Sequence, residues 1–445
     1  MLSKLIENTE RLALRLPPQH AQRLLGALPA AVIKRMQAAR FRQTLRLVAE
    51  RAPFYREAFK RRGIDVRRIT HPSQLGDFYT TGEDLRTHGA AAFMIGRPDT
   101  AYETTGTTSP VPKRVFFSQR EIDEIGRASA IGLRQLGLQR EDRVLSAFDC
   151  SFWVSPATAR AAFQHIGCFH VEAGKIEPLD FYQHAREYRP NVIFGEPSWL
   201  VRLAEIAEAS GAWPMKFLFA GGENLTEQAR HRVESVWHAP LYMSYGQTEA
   251  FGAMGVECRE QNGYHRNDFN FFFETIDADA EGNGELVYTT LTRDVMPLVR
   301  YRSTDLTRLI EEPCPCGFFM PRLAKIRARC DEMVVCGMGN VGPWVFAELL
   351  RGASGASDEW QAVIKHDGRR DIVELYVETD EALHGAELER IVWSHMRERF
   401  ADFWKNHEMK LYRLCVIAAP RGSLRRARKL QRVVDERQML MRRVI

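Results

Sequence analysis

Leu12, Leu14 and Leu16, then Leu24, Leu25, Leu28, Val32 and Ile33, recur at spacings near three and four, which predicts helices through residues 1–63 with Pro17-Pro18 as a break. A second helix is expected from about Ala38 to Arg62, interrupted near Pro53. Around Thr100 the pattern changes to short apolar runs between helical stretches. Val144–Phe148, Val192–Phe194 and Lys216–Ala220 read as strands, and Ser198–Ser210 and Thr226–Trp237 as helices. That rhythm predicts an α/β sheet. From Glu274 to Ile310 the chain reads as β-rich, with Gly282-Asn-Gly284 turning into the run Glu285–Tyr288. Past about Cys330 the pattern resets. Gln361–Lys365 and Asp371–Glu378 flank the turn His366-Asp-Gly368, a hairpin signal, before a helix over Ala386–Phe403 and a strand over Lys410–Ala418. The fold class expected is α/β. A large N-terminal domain of mixed sheets and helices spans 1–330, with 1–63 as a helical lead-in, and a small α+β C-terminal domain spans 331–445. A chain of 445 residues is too long for one ordinary core.

Charge refines the picture at both ends. Residues 1–62 carry 14 Lys/Arg against 4 Glu, or +10, and the segment from Arg421 carries 9 against 2 acids. Such clusters suit nucleic acid, anionic lipid or a polyanionic cofactor, or are simply solvated helix faces. No nucleic-acid signature accompanies them. The most apolar early stretch, Leu24–Ile33, is short and broken by Pro29, so neither a membrane span nor a secretory leader is expected, and the chain is placed in the cytoplasm.

Three segments carry candidate chemistry. Thr104-Thr105-Gly106-Thr107-Thr108, running on to Lys113, packs hydroxyls around a flexible glycine, able to wrap phosphate oxygens with Lys113 or Arg114 adding charge. Its spacing is not that of a nucleoside-triphosphatase P-loop, and an ordinary loop remains open. Tyr245-Gly246-Gln247-Thr248-Glu249 offers an aromatic for a base, a hydroxyl for phosphate and a carboxylate for Mg²⁺, or else a plain strand end. Asp305, after Val299-Arg-Tyr-Arg302, offers a carboxylate to two ribose hydroxyls, or a salt bridge to a neighbouring arginine. Separately, Cys258 and His265 with Cys314 and Cys316 form a Cys-x₆-His and a Cys-x-Cys, which suits a tetrahedral Cys₃His set for structural zinc, or else is a coincidence of thiols and a surface histidine. The other cysteines, Cys150, Cys168, Cys330, Cys336 and Cys415, read as packing residues.

Taken in order, these motifs resemble the adenylate-forming superfamily of acyl-CoA synthetases, luciferases and adenylation domains. The strongest likeness is to phenylacetate–CoA ligases. Phe41–Arg46, Ala52–Arg56, Thr80–Leu85 and especially Thr289–Arg302 carry it, and the likeness runs from about residue 38 to the end. It implies that Thr104–Thr108 grip the triphosphate, that Gly222, Glu223 and Tyr245 line the adenine slot, and that Thr248 meets the α-phosphate. Glu249 would hold Mg²⁺, and Asp305 the ribose with Arg329 close by. Lys429 would be the adenylation lysine reaching back from the small domain, and Asp331 the hinge. Phe148, Trp153, Phe219 and Phe251 are the implied acyl-pocket aromatics, with Trp199 near them. Relatives carry the zinc spacing too.

The activity implied is ATP-dependent activation of a small carboxylic acid, aromatic by its pocket, and transfer to a thiol. Two departures matter. Ser109-Pro110 replaces the usual glycine in a phosphate loop one residue longer than in relatives, which points to slow turnover. Trp344-Val-Phe-Ala347 replaces the usual Ser-Gln-Ile pattern after the hinge, which leaves CoA and a carrier protein's phosphopantetheine arm both open as acceptor. A degenerate fold used as a binding module, and a homodimer, also stay open.

Overall fold

A computed structural model of the chain describes residues 2–27, 30–104, 112–223, 225–326, 328–329, 333–353, 355–379, 385–424 and 431–437. The lead-in is helical, as Leu2–Arg15, Pro18–Gly26, Ala30–Arg51 and Pro53–Arg61. The long helix starts at Ala30 rather than near Ala38, because buried Ile33 and Met36 extend the apolar face that Phe41, Leu45 and Val48 continue. Pro53 sits in the first turn of the next helix, where its missing N–H breaks no bond. Lys34, Arg35, Arg42, Arg46 and Arg51 are exposed, so part of the basic excess is a solvated helix face. The lead-in is nonetheless tied to the body. Glu10 and Arg127 form a buried ion pair at 2.8 Å, and Gln37 Nε2 donates to the Phe271 carbonyl at 3.0 Å.

The main sheet has a parallel half and an antiparallel half. Across the parallel half the strands lie in the order Phe169–Glu172, Arg143–Ser146, Val192–Gly195, Phe217–Ala220 and Leu241–Gln247. Val192–Gly195 and Phe217–Ala220 are buried throughout, as expected of parallel strands covered on both faces. Helices between them start on proline at the first or second position, as in Ser155–Ile166, Pro178–Tyr188 and Pro197–Ser210. After Leu241–Gln247 the chain reverses into the antiparallel strands Gly252–Val256 and Tyr264–Arg266. A second antiparallel sheet joins Phe271–Ile276, Gly284–Thr290, Tyr301–Thr307 and Ala328–Arg329. The architecture is α/β, as the rhythm of strands and helices predicts.

The C-terminal part has its own core, in which Val334, Val345, Phe346, Val373, Leu388 and Val433 pack together. Its sheet sets Tyr412–Pro420, Asp371–Thr379, Ala356–His366 and Val433–Asp435 side by side. The single helix expected over Ala386–Phe403 is two, Gly385–Arg399 and Ala401–Glu408. Phe400 breaks it with φ −130° and ψ 67°, its ring stacked on Phe403 and edge-on to Trp344. No proline or glycine marks this break; packing makes it. Among the described residues no helix is long and apolar enough to cross a membrane.

Candidate active site

The strand Leu241–Gln247 ends in the short turn Thr248–Ala250, and the chain leaves it through Phe251 at φ 63°. Gly246 is required here. A Cβ on it would fall 1.9 Å from the carbonyl oxygen of Gly252, on the strand that folds back against it. This close reversal buries Thr248 and Glu249 at the edge of a large cavity. Tyr301 Oη donates to Glu249 Oε1 at 2.8 Å, and the Lys113 ammonium pairs with the same carboxylate. Burial pushes the Glu249 carboxyl up, but Lys113 and these hydrogen bonds outweigh it and hold the group below its ordinary range. Lys113 comes from the far side. It follows the phosphate-type loop, which the antiparallel strands Thr100–Glu103 and Arg114–Phe117 support. Thr104 lines the cavity, and its hydroxyl accepts from the Lys113 backbone N–H at 3.2 Å. Thr105, Gly106, Thr107 and Thr108 lie outside the described residues.

Asp305 is the second buried carboxylate on this cavity. Its Oδ2 accepts from Tyr245 Oη at 2.6 Å and Gln247 Nε2 at 2.8 Å, and its Oδ1 accepts from Arg329 Nη1 at 2.9 Å. The arginine partner foreseen for Asp305 is therefore present, but within a buried network rather than at the surface. Burial, then the adjacent Asp305 charge, push the Tyr245 hydroxyl well above its usual range, so it stays a donor. Gln247 and Tyr301 lie within two of the motifs, but the sequence alone assigns them no role. Their contribution shows only once Leu241–Gln247 and Tyr301–Thr307 face one cavity.

Gly222 and Glu223 also border the cavity, but the Glu223 carboxylate is turned to a helix start. It accepts from Ser198 N and Ser198 Oγ, each at 3.0 Å. Burial first, and Glu196 second, raise Glu223 to about 8. Lys175 and Glu196 form a buried ion pair beside it that sequence reading did not single out. Gly222, at φ 89°, lies against the Trp153 ring, which a Cβ would approach to 2.9 Å. Phe148, Trp153 and Phe219 line the cavity as expected. Phe251 does not. It is fully buried behind the wall, packed edge-on to Phe117 and Tyr102, because the turn at φ 63° swings it away. Trp199 is likewise fully buried. The cavity measures about 1420 Å³, and Trp344, Arg399 and Phe400 of the C-terminal part close one side of it. Lys405 Nζ there lies 3.9 Å from Asp149 of the large part. Asp331 and Lys429 lie outside the described residues.

Away from the cavity, Cys258, His265, Cys314 and Cys316 bring one donor atom each to within 4.8 Å of one another. His265 Nδ1 lies 2.6 Å from the Met320 carbonyl oxygen, which leaves Nε2 facing Cys316 Sγ at 3.2 Å. A hydrogen bond with Cys258, aided by His265, holds the Cys316 thiol below the ordinary thiol range. Three sulfurs and one oriented imidazole suit a tetrahedral metal with no open position.

Residues 102–268 match the AMP-binding enzyme family. The phenylacetate-coenzyme A ligase of Thermus thermophilus is 27% identical over 439 residues, which cover 93% of this chain and 98% of the relative. That of Pseudomonas putida is 26% identical, covering 78% and 82%. A crystal structure of 2-hydroxyisobutyryl-CoA ligase, in its thioesterification state with 2-HIB-AMP and CoA, superposes with a TM-score of 0.78 at 23% identity, covering 93% of this chain and 92% of the other. An open conformation of that ligase gives 0.64 at 22% identity, covering 92% of each chain. Residues 102–268 thus resemble the AMP-binding enzymes, and most of the chain is similar to phenylacetate-coenzyme A ligases.

Proposed function

We propose that this chain uses ATP to activate a carboxylic acid as its acyl-adenylate and passes the acyl group to the thiol of CoA. The observation that carries it is the pairing of two buried carboxylates, Glu249 and Asp305, on one cavity with Thr104, Lys113 and Thr248 between the two parts of the chain. A carboxylate attacks the α-phosphorus of ATP, pyrophosphate leaves, and charge grows on the phosphoryl oxygens, so cations aimed there favour the transition state. Asp305 is held by Tyr245, Gln247 and Arg329 and would accept hydrogen bonds from the ribose hydroxyls. Thr248 faces the α-phosphate, and Tyr245 and Gly222 border the base. Glu249, ionised and buried, is the ligand for Mg²⁺, which when bound neutralises phosphate charge. Lys113 then leaves Glu249 and turns to phosphate, together with Thr104–Thr108.

Lys429 supplies the cation of the adenylation step, and rotation about Asp331 exchanges it for the acceptor channel. The residues from Asp331 onward form the mobile domain. The aromatic walls Phe148, Trp153 and Phe219 favour a planar acid. The Cys₃His set holds structural zinc. The test is acid-dependent ATP–pyrophosphate exchange, followed by mass detection of an acyl-CoA. No exchange with any acid sinks the reading, and transfer to a phosphopantetheinyl carrier but not to CoA would replace the acceptor.

A further inference from the structure

Resting on that reading, we propose that the Cys258, His265, Cys314 and Cys316 set positions the acid: a metal ion held there fixes one wall of the acid pocket, so that metal and acid each raise the affinity of the chain for the other. The wall is the strand Gly252–Val256. Ala253 and Val256 border the large cavity, and Val256 packs in one apolar cluster with Phe148 and Phe219, two of the aromatic walls that favour a planar acid. Both ligands of the Cys-x₆-His half are tied to this strand. Cys258 follows Val256 by two residues, and His265 is the antiparallel partner of Val256.

On its outer side the wall has little other support. Tyr264–Arg266 is three residues long, and the strand beyond it, Arg322–Leu323, is two, so few ladder hydrogen bonds hold the register. Behind Val256 lies a void of about 40 Å³, bordered also by His265, Phe318 and Met320. Packing therefore does not fill the space between the wall and the loop that carries Cys314 and Cys316. The ligand set spans that gap, with its four donor atoms within 4.8 Å of one another, so a bound metal joins wall to loop. The nucleotide side is braced differently. Leu241–Gln247 is paired on its far side with Phe217–Ala220, Asp305 is held by Arg329 and Gln247, and Glu249 by Lys113 and Tyr301. Loss of the metal reaches the acid before it reaches the nucleotide.

The test has two arms. Zinc release from the unaltered chain to an excess of a zinc-selective chromogenic chelator is timed with ATP alone, then with ATP and whichever of phenylacetate, benzoate and cinnamate exchanges fastest. Expected is release slowed roughly tenfold by the acid and much less by ATP alone. In ATP–pyrophosphate exchange, the zinc-stripped chain and Cys314→Ser should show a KM for the acid raised roughly tenfold, against about twofold for ATP. Added zinc should restore the stripped chain and not Cys314→Ser. A staple with no hold on the pocket would lower the active fraction without moving the two constants apart. Zinc release indifferent to the acid, acid and ATP constants that move together, or a chain that takes up no zinc overturns the inference. If the stripped chain does not stay folded by circular dichroism, zinc release from the unaltered chain decides alone. No exchange with these acids or a wider panel overturns the adenylation reading instead, whatever the metal does.

Discussion

The Lys113 ammonium is paired with the Glu249 carboxylate, joining the hairpin under the phosphate-type loop to the turn that ends the strand Leu241–Gln247. The two charges neutralise each other, and on the function proposed above the pair would hold a cation and a carboxylate in reserve until nucleotide arrives. Glu249→Gln keeps the shape and removes the charge. It is expected to lower acid-dependent pyrophosphate exchange by roughly 10²-fold or more with the fold intact by circular dichroism. Lys113→Met strands a buried carboxylate and is expected to cost about 3 kcal/mol in urea unfolding near neutral pH. Because Glu249 titrates below its ordinary value in the folded chain, the stability it contributes is present above the unfolded pKa and is lost as pH falls through the folded one. The unaltered chain should therefore lose its advantage over Lys113→Met in that acidic window. An equal urea midpoint for both at neutral pH would show the pair to be energetically idle.

Tyr245 gives Asp305 one of its hydrogen bonds and has no other polar atom in its ring. A hydrogen bond to a charged group contributes about 1.5–3 kcal/mol. If Asp305 must be held in place to receive ribose, Tyr245→Phe should raise KM for ATP about tenfold while kcat changes little. Asp305→Ala should raise it further and also lower the melting midpoint, since Arg329 loses a buried partner. Steady-state kinetics over ATP concentration separate the two outcomes, and an unchanged KM in both variants would place the nucleotide elsewhere.

Much of this site is legible in the sequence because its residues sit at the ends of strong local signals. Glycine in Tyr245-Gly246-Gln247 is forced by the approach of Gly252, and the strand Tyr301–Thr307 alternates buried and half-buried positions. What could not be read was direction and pairing. The Glu223 carboxylate accepts from Ser198, because helix Pro197–Ser210 presents an N–H at its start beside it. Phe251 looked like pocket wall by its place beside Glu249, yet one residue with positive φ turns it into the core behind. The Lys175–Glu196 pair and the break at Phe400 depend on contacts between distant segments, which no local pattern encodes.

The Cys₃His cluster makes a prediction independent of catalysis. Ligation by three thiolates and one imidazole releases protons and ties the loop carrying Cys314 and Cys316 to Cys258 and His265, so metal binding is coupled to folding. The purified chain is expected to hold one zinc per molecule by elemental analysis. Cys314→Ser should abolish that metal and lower the melting midpoint, and a strong chelator should do the same to the unaltered chain more slowly. Full stability without bound zinc would reduce the cluster to buried thiols.

Glu223 predicts a pH dependence opposite in sign to that of Glu249. Its folded value of about 8 lies above the ordinary 4.5, because burial and Glu196 outweigh Lys175 and the two bonds from Ser198. Between those values the folded chain keeps a proton that the unfolded chain has released, so stability from this group falls as pH rises through the window. Glu223→Gln holds the neutral state at every pH and can still accept from Ser198. Melting curves taken from about pH 5 to about pH 9 should show the variant close to the unaltered chain at the acid end and above it at the alkaline end. Parallel curves would mean that Glu223 is already ionised in the folded chain, with Lys175 serving both carboxylates.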